Sequence, residues 1–174
     1  AKGLDRSREI GRQITLYRDQ IPAQFLISIY YLAAYFHFIN NELSDGLKWV
    51  RTIFDEFSHD VPVKFIYDNA RLLYLVIHYE LANYDYLEYA IANIQKQFRQ
   101  SYQKNHLFLL TLQHLQKLIN MPALERENQY WQTFLEKLEN LDEATLAQQI
   151  FDFKSWANAH YKHQPINRVM AESS

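Results

Sequence analysis

Three glycines in 174 residues, Gly3, Gly11 and Gly46, constrain this chain more than any other feature. With only four prolines beside them, the chain lacks the residues on which tight hairpin turns depend. Sandwiches, barrels and βαβ units are therefore disfavoured, and helices remain. The same scarcity removes the glycine-rich phosphate loops, because no two glycines stand at dinucleotide-fingerprint or P-loop spacing. Hydrophobic residues make up 48 % and charged residues 22 %, the balance of a chain that buries a core. An all-α fold is expected.

Apolar residues recur with helical period through nearly the whole chain. Eight helices are predicted, over 5–18, 22–40, 44–57, 62–82, 84–101, 104–119, 122–140 and 143–162. Pro22, Pro62 and Pro122 suit first-turn positions, where a missing N–H costs nothing. Asp60, Asn83 and Asp142 are the expected N-caps. The joints are short, and short joints make neighbouring helices antiparallel. One helical repeat domain is expected over 1–163, as the C-terminal part of a longer protein, followed by an aperiodic tail over 164–174.

An internal repeat supports stacked pairs. Ile21-Pro22-Ala23-Gln24-Phe25 matches Val61-Pro62-Val63-Lys64-Phe65 at a shift of 40 residues, and Leu32, Tyr35, Phe36 and Leu47 then meet Leu72, Leu75, Val76 and Leu87. A third copy starts near Phe108, with Leu115 and Leu118 in the corresponding places. A single helix pair cannot cover its own apolar face, so copies stack. The joint Ala82-Asn83-Tyr84-Asp85-Tyr86-Leu87 resembles the turn between the two helices of a tetratricopeptide repeat, and Gly46 and Ala90 resemble its small packing residues. The resemblance covers about 21–101, with a spacing nearer 40 than the family's roughly 34. It implies a right-handed superhelical stack of antiparallel helix hairpins, a TPR-like solenoid that binds proteins or peptides without catalysis. The helix over 5–18 then reads as a second helix lacking its partner.

Other classes are excluded on separate grounds. No cysteine means no disulfide, thiol nucleophile or Cys-bound zinc, and suits a reducing, cytoplasmic setting. A net charge of -2 offers no field for nucleic acid, and the basic, aromatic run Gln95–His106 reads as a solvated helix end. Ile21–Ile39 carries no formal charge and is long enough to span a bilayer, but Tyr30, Tyr31 and Tyr35 sit mid-segment, and its twin over Pro62–Ala82 carries Lys64, Asp68, Arg71 and Glu80. A helix apolar all round is instead one covered on two sides. The seven histidines form no HExxH, and Glu-x-x-His occurs once, at Glu56 and His59, where a di-iron bundle needs it on two helices, so neither metal nor cofactor is expected. Carboxylate pairs such as Asp55–Glu56 and Glu125–Glu127 point different ways along their helices, and no enzyme is expected.

One candidate binding groove remains. Tyr67, Arg71, Tyr74 and His78 recur at i, i+4, i+7 and i+11 on one helix face, with His114 and Lys117 in the matching places of the third copy. Cations flanked by tyrosines suit an acidic or C-terminal carboxylate peptide. Packing is the competing reading, with Arg71 paired to Asp68 or Glu80. Two other functions compete with the scaffold. One is a bundle with an aromatic small-molecule pocket, using Tyr30, Tyr35, His37, Tyr74 and His78; the other is a homodimerisation domain formed through exposed Tyr and Phe.

Overall fold

The computed structural model describes residues 11–14, 16–57, 63–98, 105–121, 128–142, 145 and 149–172. Among the described residues every regular element is helical. After a helical stretch over 11–14 and 16–17, a 3-10 turn at Arg18–Gln20 leads into α1 (Ala23–Ile39). There follow α2 (Leu43–Glu56), α3 (Lys64–Glu80), α4 (Tyr84–Phe98), α5 (His106–Ile119), α6 (Asn128–Glu139), α7 (Phe153–Tyr161) and α8 (Ile166–Glu172). No helix among the described residues is long and apolar enough to cross a membrane. The chain falls into two compact units, 1–70 and 71–174, with the boundary inside α3.

In unit 1–70, α1 and α2 form an antiparallel hairpin, closed where Tyr30 packs on Trp49 and Phe57 with ring centroids 5.5 and 6.2 Å apart. Arg18 reaches Glu56 at 3.1 Å and ties the preceding turn to the end of α2. The backbone explains the reversal between the helices. Asn41 takes a left-handed φ of 60°, so that its N–H reaches the Phe38 carbonyl and the Glu42 N–H reaches the His37 carbonyl. This is the Schellman closure, which satisfies the last carbonyls of a helix while turning the chain.

The same closure recurs between α3 and α4. Ala82 has φ 55°, its N–H bonds the Tyr79 carbonyl, and the Asn83 N–H bonds the His78 carbonyl. The two closures lie 41 residues apart. So do the starts of α1 and α3, each 17 residues long. The structural repeat is therefore 41, where the proline motifs align at 40. The extra residue enters at the helix start: α1 begins one residue after Pro22, which occupies its N-cap, and α3 begins two residues after Pro62. Pro62, Asp60 and Pro122 lie outside the described residues.

The turns also differ in side-chain chemistry. Buried His37 donates from Nδ1 to the Glu42 carboxylate at 2.5 Å, whereas His78 accepts at Nδ1 from the Asn83 amide at 3.2 Å. The Asn83 side-chain nitrogen thus ties the start of α4 back to α3. Asp142 does cap, accepting the Thr145 N–H at 2.8 Å. Asn105 caps α5 and Asp152 caps α7, accepting N–H groups from Phe108 and Ser155.

The continuous helix predicted over 143–162 is interrupted. Residues 149–152 are not helical, and α7 starts at Phe153 under the Asp152 cap. Phe151 is fully buried in that break, with its carbonyl accepting the Gln149 side-chain amide. Past α7 a third Schellman closure, at His163 (φ 53°), leads into α8 within the segment read as aperiodic. The single well-buried residue of α8, Val169, anchors that helix without creating a detectable period.

Ala82 sits where an L side chain costs about 1 kcal/mol and glycine costs little. Ala82→Gly is expected to raise the thermal midpoint by about 2–4 °C, and Ala82→Val to lower it, in a melt followed by circular dichroism. Equal midpoints for the three proteins would contradict the strain at this turn.

Candidate functional site

The six residues of the expected groove separate into different surroundings. Tyr67 is buried against Phe54, edge to face at 5.4 Å, in unit 1–70. Arg71 is half-buried on α3. Tyr74 and His78, one turn apart, pack with Tyr86 of α4: the two tyrosine hydroxyls lie 2.7 Å apart, and the imidazole tilts against the Tyr86 ring at 4.4 Å. His78 is a buried packing residue. His114 and Lys117 lie elsewhere in unit 71–174, on α5 facing α6. The i, i+4, i+7 spacing of α3 correctly lines up its four side chains, yet burial varies along that line.

Unit 71–174 holds an aromatic cluster that pattern alone does not reveal. Trp156 is almost fully buried, edge-on to Trp131 at 5.1 Å and to Tyr79 at 6.1 Å. His160 stacks flat on Trp131 at 4.1 Å, and His114 stacks flat on Phe134 at 4.0 Å. Glu80, the last residue of α3, fixes the cluster electrostatically. Its Oε1 accepts both the Trp156 indole N–H and the His160 Nε2–H, each at 2.6 Å. Trp156 and His160 can share one oxygen because i, i+4 residues stand on the same helix face. Glu80 thus serves α7, and Asp68 meets Lys64 at 2.6 Å. Trp156 and His160, four apart on a helix, were the available sequence signal for a shared partner.

Beside the cluster, α5 and α6 border a shallow cleft. Leu110, Gln113, His114 and Lys117 line one wall, and Tyr130, Thr133, Phe134 and Lys137 line the other. Its enclosed space, about 30 Å³, corresponds to roughly one water molecule. Among the described residues, two lysines and no acidic residue border it. His114 is 94 % buried there by relative exposure of 6 %, and its Nε2 is buried without a hydrogen-bond partner. Burial, then the charges of His160, Lys117 and Lys137, push its pKa down to about 3.

No protein-family model, curated protein or solved structure matches the chain. The chemistry must therefore be read from the site itself. An imidazole that stays neutral until about pH 3 is a poor proton acceptor at neutral pH, so His114 does not suit general-base work. Among the described residues no group of three His, Asp or Glu could hold a metal ion. What the cleft does offer is two ammonium groups, without an ion pair among the described residues, beside an aromatic and aliphatic floor. That is the chemistry of holding an anionic group.

Two expectations follow from this geometry. His114 has a folded pKa below its ordinary 6.5, so the folded state binds fewer protons than the unfolded state. Its stabilising contribution is complete above pH 6.5 and is lost as pH falls toward 3. Lowering the pH from 7 to 5 should cost about 2 kcal/mol through this residue, and His114→Phe should flatten that dependence in urea titrations. Removing the shared acceptor by Glu80→Ala leaves the Trp156 N–H unpaired and should cost about 2–3 kcal/mol. Glu80→Gln retains an acceptor and should cost clearly less; equal losses would mean that the carboxylate only fills space.

Proposed function

We propose that the chain is a non-enzymatic scaffold of stacked helix hairpins, TPR-like in plan, that binds acidic or carboxylate-ended peptides at the α5–α6 cleft. The observation that carries this reading is the pair Lys117 and Lys137 on opposite walls of a cleft that no acidic side chain lines among the described residues. Charge-assisted bonds from two ammonium groups to one carboxylate are each stronger than neutral hydrogen bonds. Tyr130 and the methylenes of Leu110 would cover the adjoining peptide backbone or side chain. His114 and Lys117 belong to the groove expected from sequence, and Lys137, Tyr130 and Thr133 join them from α6. The repeated hairpin, with its 41-residue recurrence and matching closures, supports the stacked plan. A small-molecule pocket is less favoured at this place, since such sites enclose roughly 300–1,000 Å³ and this cleft encloses about 30 Å³.

Fluorescence anisotropy with a labelled hexapeptide ending in Asp-Glu and a free carboxylate tests the reading. Binding should weaken with salt. It should weaken about tenfold for Lys117→Glu, and again for Lys137→Glu, with each loss matching about 1.4 kcal/mol. If the amidated, Asn-Gln version binds equally, or both variants bind as the parent does, the cleft is not the peptide site.

A further inference from the structure

The 41-residue register exposes an asymmetry between the two copies of the first helix. On α3, Ile66, Ala70, Leu73 and Ile77 form one stripe, and all four are buried, none more than 6 % exposed. The positions 41 residues earlier are Phe25, Ile29, Leu32 and Phe36 of α1. There Phe25 and Leu32 are each 59 % exposed, Phe36 is 39 % exposed, and Ile29 is half-buried. At 100° per residue these four side chains fall within a narrow arc. That arc lies opposite the buried face of Leu26, Ile27, Tyr30, Ala34 and Phe38. The stripe is apolar throughout, and Ile21–Ile39 contains no formal charge to blunt it.

We infer that this stripe is a self-association surface, on which a second copy of the chain lays the same α1 stripe about a two-fold axis. The sequence of the stripe carries the choice of occupant. Phe25, Ile29, Leu32 and Phe36 are separated by four, three and four residues, so the stripe reads ring–aliphatic–aliphatic–ring in both directions. A two-fold axis between residues 30 and 31 runs the two helices antiparallel. It then sets Phe25 of one copy on Phe36 of the other, and Ile29 on Leu32. An isologous interface needs this self-complementarity, and the lack of charge leaves nothing to repel. Aromatic side chains of about 200 Å² at these exposures, with Leu32, give a patch of roughly 300 Å² per copy, the size at which exposed apolar area marks an interface. A standard interface covers about 800 Å² per partner, so the stripe supplies its centre and the dimer is of micromolar strength. The inference uses a different surface from the α5–α6 cleft and stands or falls apart from it.

Sedimentation velocity on the whole chain, from about 1 to 200 µM, spans that strength. The mass should rise toward twice the monomer across the range. Leu32→Glu and Leu32→Lys should each weaken the dimer at least tenfold, because each places like charges near the axis. Mixing the two variants should restore association, which general loss of structure cannot do, and circular dichroism should match the parent because Leu32 is exposed. A monomer at every concentration would overturn the inference. So would a dimer that Leu32→Glu leaves intact, or variants that stay apart when mixed.

Discussion

The architecture depends on how each helix disposes of its last carbonyl groups. In three places a single residue with positive φ turns the chain so that two following N–H groups reach back to those carbonyls. A link of three residues can then reverse direction while the last helical carbonyls keep partners, as between α1 and α2 or α3 and α4. The antiparallel hairpins follow from that economy. None of the three turning residues is glycine, so the closures stand in a chain that has almost none.

Inside unit 71–174 a second constraint operates, the satisfaction of polar atoms among large rings. Glu80 brings one acceptor to the edge of the cluster, and two donors from α7 converge on it. His114 contributes in the opposite way: it behaves as a flat, uncharged ring on Phe134, at the cost of a nitrogen left without a partner. Neutral His114 leaves Lys117 and Lys137 as the charges at the cleft mouth. The same physics that packs the cluster thereby shapes the electrostatics of the neighbouring surface.

Much of the helical plan was legible in the sequence, because apolar period and short joints are local signals. The limits of α1, α2 and α5 fall within two residues of those predicted. What escaped was non-local or single-residue in origin. The repeat was read at 40 because the Ile-Pro and Val-Pro motifs align there, while the helices themselves begin at different distances from their prolines. A slip of one residue turns a helix by 100°, so the motif alignment sets Leu32 on Leu72, whereas its structural counterpart is Leu73. The α7 boundary was missed because Phe151 is apolar in a break as well as in a helix, and only the Asp152 cap distinguishes them. Among the candidate groove residues, spacing placed Tyr74 beside His78 but could not register that Tyr86 and Asn83 close over them. Trp131 and Lys137 gain their roles only through tertiary approach to α5.

The turn at Ala82 has one more consequence. Leu81 and Ala82 are both strong helix formers, and of the three link residues only Asn83 favours a break. The left-handed φ at Ala82 is held by the closure around it and not by any preference of alanine. Such a joint is the natural hinge for domain exchange, in which two molecules straighten the same link, give up its turn hydrogen bonds and the His78–Asn83 contact, and trade arms.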